Sequence, residues 1–356
     1  ETLFNLLLRR TSPPVYWKEV RDAWIEQVRR LSTPRELARL AERMDQLLAD
    51  RAGEERDLVW VAHEVVSWSL LPTILEGLGR RRAAPILRDL EIKIANNLDL
   101  SGPPTVGLRF ASLWSQLRAG WIVRRELHAR AKGRRPRRLD LTDPMVDMLP
   151  RLGAGRAVHA ITGLFTAIAA PPGCAASALI YALHCYPEAG QRVRDELSAL
   201  SLEELYPSPT TRAPETYRFV REVLRLWSPT PVVDRPVRKS IDHPGICLRE
   251  GQAFMLSSDI QHHDPERWQN PDVFDPDRWN QASRTDEASR KAYVPFGWTP
   301  RPCIGAGLAL GQLILFAHLL TTRYHVELAT PDDIAMAQPS MPVPQNLRGT
   351  LRRVAT

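Results

Sequence analysis

At 356 residues, with 44% hydrophobic and 25% charged side chains, the chain has an ordinary globular makeup and room for a large core. No run of sequence reaches the roughly 18–20 consecutive apolar residues of a membrane-spanning helix. The net charge of +7 raises the question of nucleic acid. The sequence answers against it: the one dense basic run, Arg130 to Arg138, has no interleaved aromatics and no preceding binding motif, so it reads as a solvated surface loop.

In chain order, Trp17 and Arg21 stand one helical turn apart. Pro34 to Asp50 places Leu37, Leu40, Ala41, Met44, Leu47 and Leu48 on one helical face, with Thr33 as N-cap. Leu58 to Leu78 and Thr105 to Arg130 carry further helical periodicity. Leu152 to Tyr186 is apolar on almost all sides and is expected to cross the core as one long helix. Inside it, Pro171 and Pro172 each lack an N–H and crowd the carbonyls of Ala167 and Ile168, at ~3 kcal/mol or more per interior proline. Gly173 weakens the same turn. The helix should kink or open there, either as a plain bend or to free carbonyls for water or substrate. Amphipathic helices follow at Pro187–Leu200 and Pro214–Trp227. Beyond Trp227, prolines 229, 231, 236 and 244 with Gly245 and Gly251 cut the chain into short strands, such as Ile246–Arg249 and Ala253–Ser257. A proline-rich run without regular structure then covers Asp264 to Trp279. The class is mainly α with a small β portion.

Cys174, Cys185, Cys247 and Cys303 lack paired metal-site spacing and read as reduced thiols. His262-His263-Asp264 offers metal-ligand residue types, but adjacent side chains do not easily face one ion. No G-x-x-x-x-G-K, H-E-x-x-H or G-x-S-x-G occurs. Glu222 and Arg225 lie at i, i+3 among Phe219, Val223 and Leu226, and charges buried there need partners. The segment Phe296-Gly297-Trp298-Thr299-Pro300-Arg301-Pro302-Cys303-Ile304-Gly305 precedes a long apolar stretch from Leu308. A lone cysteine before an apolar helix is ordinarily a small buried hydrophobe. At a helix N-terminus beside Arg301, however, its thiolate would be favoured.

That segment resembles the F-x-x-G-x-R-x-C-x-G loop of the cytochrome P450 family, with Thr299 replacing the first glycine. The order of elements along nearly the whole chain is similar too. The resemblance implies one domain over 1–356: mostly helical through 227, then short strands, a meander and the cysteine loop over 228–302. A final helix at 303–322 and C-terminal strands and loops at 323–356 complete it. The family usually has several tens of further N-terminal residues, and this chain starts near its third helix; a removed leader is left open.

The resemblance further implies haem b (iron protoporphyrin IX), with Cys303 as axial ligand and the central helix above it. Trp17, Arg21, Arg235 and Arg301 would hold the propionates and Phe296 would pack near the thiolate. Gly305 would let the backbone approach the macrocycle, and Glu222, Arg225 and Arg278 would lock the meander. Pocket walls fall on Ala167, Ala170, Pro171, Thr230, Pro231 and Val232. The family's acid–alcohol pair for oxygen activation falls on Ala170 and Pro171, neither of which can donate a proton. The implied function is a monooxygenase of a small to medium, secondary-metabolite-like organic substrate, with protons delivered by substrate or water. A haem-thiolate peroxygenase, isomerase or dehydratase, or a non-catalytic accessory homologue, stays open. A ferredoxin and its reductase are the implied electron donors, in the cytoplasm, with no nucleic-acid partner and no membrane span.

Overall fold

The structure is a computed structural model and describes residues 14–98, 105–237, 239–280, 291–299, 301–338 and 341–354. Helical periodicity becomes α1 (Pro14–Leu31), α2 (Pro34–Ala49), α3 (Leu58–Ile74), α4 (Arg80–Leu98), α5 (Val106–Ala131) and α6 (Asp143–Leu152). These are followed by α7 (Ala154–Ala169), α8 (Pro171–Cys185), α9 (Pro187–Ser198), single turns α10 (Leu202–Leu205) and α11 (Pro209–Arg212), and α12 (Pro214–Leu226). Then come the five-residue helix α13 (Ser258–His262) and α14 (Ala306–Thr322).

The strands are short. β1 (Glu55–Asp57), β9 (Arg348–Arg353) and β6 (Tyr324–Leu328) form an antiparallel sheet in that order, with Thr350 between Glu55 and Glu327. Three antiparallel pairs join β2 (Val232–Pro236) to β5 (Ala253–Ser257), β3 (Ile241–His243) to β4 (Ile246–Leu248), and β7 (Ala335–Ala337) to β8 (Val343–Gln345). Within 264–279 the only regular piece is a 3-10 turn at Pro276–Trp279.

Two helices are apolar nearly all round and buried accordingly. In α3, residues from Leu58 through Ile74 are buried on most faces, and the Asp57 carboxylate caps the helix by accepting from the N–H groups of Val59 and Trp60. In α14, Leu313 through Leu320 are all buried, and Gln312 donates to the Val66 carbonyl of α3 at 3.0 Å. These helices and α8 contribute to one hydrophobic core, against which Phe296 of the cysteine loop packs. Thr33 occupies the N-cap of α2, but its hydroxyl donates backwards to the Arg30 carbonyl instead of capping.

Two expectations need correction. Most of the basic run is exposed as expected, but its first member is not: Arg130 is buried against Glu126 and Asp140, half-buried Arg135 pairs with Glu126, and exposed Arg137 bridges Asp143 and Asp147. A cation so enclosed must be neutralised locally, and the run clamps the end of α5 to the start of α6. The stretch 154–185 is also long and apolar enough to cross a membrane by length and composition alone, although 61% of its most apolar window is buried inside the fold.

Candidate active site

The expected single central helix is two helices. α7 ends at Ala169 and α8 begins at Pro171, with Ala170 (φ −113°, ψ −52°) between them. The prolines remove the donors that Ala167 and Ile168 would use, and the next carbonyl finds partners outside its own helix. Ala169 accepts from Nδ1 of His63 at 3.3 Å and from the hydroxyl of Ser67 at 3.2 Å, both on α3 and both fully buried. Gly173 makes this fit possible, because a Cβ there would lie 1.9 Å from His63 Nδ1. Burial pushes the His63 imidazole down to about 4, so it stays neutral and donates from Nδ1. Its Nε2 faces the Cys174 thiol, which burial pushes up to about 12.

Consequently the two positions of the missing proton-relay pair differ. Pro171 is partly exposed, but Ala170 is 1% exposed and, against expectation, does not line an open space. The break draws 169–170 toward α3. Ala167, one turn earlier, is exposed. In the segment entering β2, Thr230 is half-buried and Val232 exposed, whereas Pro231 is buried and its carbonyl accepts from Ser257 and Ser258.

The cysteine loop is built by backbone geometry. Gly297 takes φ +82°, a region that favours glycine, and turns the chain so that Cys303 N–H donates to the Phe296 carbonyl at 2.7 Å. Phe296 packs on the core from below. Cys303 leads into α14 through Gly305, the N-cap, whose N–H is directed at the sulfur. Cys303 is solvent-accessible, yet protein packs closely enough around the sulfur to desolvate it. Desolvation pushes the thiol up from its ordinary value, while the Gly305 N–H and the charge of Arg21 pull the other way. The cation whose charge acts on the Cys303 sulfur is Arg21 of α1, whereas Arg301, its neighbour in sequence, has an exposed side chain. Trp17 lies in the first turns of α1, but its side chain is outside the described residues. Arg235 is exposed and donates to the backbone carbonyl of its neighbour Asp234. Among the described residues none of Arg21, Arg235 and Arg301 pairs with a carboxylate.

Behind the loop, the structure brings Glu222, Arg225 and Arg278 together. Glu222 is fully buried and accepts from Arg225 Nη2 (2.8 Å), Arg278 Nε (2.9 Å), Trp279 Nε1 (2.9 Å) and Asp275 N (3.1 Å). Arg225 and Arg278 spend their remaining donors on meander carbonyls, including Pro271 and Val273 for Arg225 and Gln269 and Asn270 for Arg278. The earlier Glu215–Arg218 pair stays partly exposed. From this network a hydrogen-bonded chain runs to the loop. His262 donates from Nδ1 to the Arg225 carbonyl (2.9 Å) and accepts at Nε2 from Val294 N–H (2.9 Å), while Trp298 Nε1 donates to Gln261 (3.0 Å). Both His262 nitrogens are thus used on backbone, and no group of three His, Cys, Asp or Glu able to hold an ion occurs among the described residues. The sequence offers His262 only as a metal-ligand type and does not point to His63, Ser67 or the bond made by Trp298; for His63 the one clue is a glycine directly after two helix prolines.

The protein-family model described as Cytochrome P450 matches residues 139–349, more than half of the chain. The chain belongs to the cytochrome P450 family. Proteins of this family are haem-thiolate monooxygenases that bind haem b through a cysteine thiolate. Cytochrome P450 monooxygenase alnD of Emericella nidulans is 36% identical over 160 residues, covering 44% of this chain and 29% of that protein. Sterol 14alpha-demethylase of Mycolicibacterium vanbaalenii is 28% identical over 202 residues, covering 54% of this chain and 44% of the demethylase. The matched part thus spans between about a third and under half of the length of these relatives. Among solved structures, retinoic acid bound cyanobacterial CYP120A1 superimposes with TM-score 0.76 at 20% identity, over 94% of this chain and 78% of that one. The cytochrome P450DA heme domain gives TM-score 0.75 at 18% identity, over 93% and 78%. These likenesses show the P450 fold.

The residues present fit haem. An accessible soft thiolate donor suits iron, Gly305 adds no side chain beside it, and cations that have no carboxylate partner among the described residues suit two propionates.

Proposed function

We propose that this P450 chain is a cytoplasmic haem-thiolate monooxygenase acting on a small to medium, secondary-metabolite-like organic substrate, with electrons from a ferredoxin and its reductase. The carrying observation is the solvent-accessible Cys303 thiol, which meets the Gly305 N–H and feels the charge of Arg21. In this reading Cys303 is the axial ligand, and Arg21, Arg235, Arg301 and Trp17 hold the propionates. Glu222, Arg225 and Arg278 fix the loop that carries the thiolate. When bound, the haem supplies the activation of oxygen and its insertion into the substrate.

The break in the central helix then governs proton supply. Ala170 and Pro171 carry no exchangeable side-chain proton, and the nearby Ser67 hydroxyl is committed to Ala169. Substrate hydroxyl or carboxyl groups, or water held at the carbonyls of Ala167 and Ile168, take over this task. The same observation favours a second reading, in which the oxidant is peroxide or an already oxygenated substrate and no relay from dioxygen is needed.

Carbon monoxide added to the reduced protein should give the red-shifted Soret band of thiolate-ligated haem, lost in Cys303→Ala. An unshifted band in the wild type would overturn the assignment of the ligand. Turnover with reductase, ferredoxin and reduced nicotinamide cofactor, absent with peroxide alone, supports the monooxygenase; the reverse pattern supports the second reading.

A further inference from the structure

The outer face of α5 is apolar where it should be polar. Val106, Phe110, Leu113, Trp114, Leu117 and Trp121 are 38–70% exposed. Their spacing puts them on one stripe, about 22 Å long at 1.5 Å per residue. A contiguous patch of this kind on a monomer marks a surface that is covered in use. Trp114, Leu117 and Trp121 also line a groove against α4, where Arg81, Arg82 and Pro85 form the opposite wall and Arg118 closes one side.

Charge is segregated around the stripe. Arg81, Arg82, Arg118, Arg124 and Arg125 are exposed, and Arg125 sits 5.2 Å from the Trp121 ring. The acidic groups of both helices turn inward or are already paired. Asp89 is 1% exposed and holds Ser115 and Lys93; Glu126 is 5% exposed and holds Arg130 and Arg135; Glu91 pairs with Arg88. The occupant is therefore anionic and has an apolar layer behind its charge. A second copy of the same face would set arginine against arginine.

We propose that α4 and α5 dock the protein peripherally on an anionic lipid surface. Trp114, Trp121 and Phe110 enter the headgroup–acyl boundary, and Arg81, Arg82 and Arg118 meet lipid phosphates. Indole rings with flanking cations are the residue set that partitions to this boundary. The proposal concerns lying on a membrane, not crossing it, and does not depend on the reaction proposed above.

The full chain, with haem supplied, is sedimented with phosphatidylcholine vesicles with and without phosphatidylserine. Binding should be at least about tenfold tighter to the anionic vesicles and should weaken with salt. Replacing Arg81, Arg82 and Arg118 together by Gln should weaken it on the order of a hundredfold, from ~1 kcal/mol per basic residue at such a surface. Trp114→Ser with Trp121→Ser should abolish quenching of tryptophan emission by brominated lipid, with circular dichroism unchanged. Equal partition to both vesicle types, or binding unaffected by both sets of substitutions, overturns the proposal. So does a concentration-dependent dimer in light scattering that Trp114→Ser with Trp121→Ser dissolves, since that assigns the face to a second copy.

Discussion

Gly173 has no room for a methyl group, because the His63 ring occupies the space where a Cβ would go. The ring cannot easily leave: it is fully buried and bonded to the Ala169 carbonyl. Gly173→Ala should therefore destabilise the fold by about 1–3 kcal/mol or more, the usual cost of overpacking. His63→Ala removes the obstacle while Ser67 still satisfies Ala169, so the double variant should be more stable than Gly173→Ala alone. Urea unfolding midpoints of the two single variants and the double variant decide it, and additive losses would refute the wedge. The diproline was legible in the sequence and so was its effect on the helix. Its partner was not, because the His63 bond is to a backbone carbonyl 106 positions away. For the same reason, Arg301 looked like the cation beside the sulfur from its sequence neighbourhood, whereas folding brings Arg21 there.

At the scale of elements, α12, the meander and the cysteine loop form one mechanical unit around Glu222. Its carboxylate carries two guanidinium groups, an indole N–H and a backbone N–H, all in the interior. Glu222→Ala strands Arg225, which is fully buried, without its counter-charge. Removing one partner of such a pair costs about 3–5 kcal/mol. The loss should be felt at Cys303, since the His262 and Gln261 bonds that hold the loop depend on α13 staying against α12. We expect Glu222→Ala to lower the thermal midpoint and to release haem to apomyoglobin faster than wild type, and an unaltered release rate would disconnect the unit from the ligand loop. Glu222 and Arg225 were readable from their spacing among apolar residues, with Arg278 added by family resemblance. Less was readable elsewhere. α4 carries Pro85 inside it, and α6 is ten residues long with Pro150 near its end, so both are interrupted by a residue that ordinarily breaks helices. The α5 pattern signalled a helix, yet periodicity alone does not say whether a neighbour covers the apolar face.

For the whole molecule, two buried neutral imidazoles make stability depend on pH. His63 bonds α3 to the broken helix and His262 bonds α12 to the cysteine loop, and burial lowers them to about 4 and about 3. In the unfolded chain both titrate near 6.5. Between that value and the folded values the unfolded chain holds more protons, so stability rises with pH across this window. Their full contribution is present above pH ~6.5 and is lost as pH falls, each imidazole adding a slope of up to about 1.4 kcal/mol per pH unit. Denaturant unfolding of the protein between pH ~6.5 and ~4 should show this loss over and above that of the carboxylates. His262→Gln isolates one share, because an amide can still donate to Arg225 and accept from Val294 yet does not titrate. Its stability should fall less steeply with acid than wild type, by about one imidazole's slope, so that the two curves converge toward low pH. Parallel curves over the whole window would mean that His262 takes up its proton without unfolding, and that the cysteine loop is not held by a neutral ring.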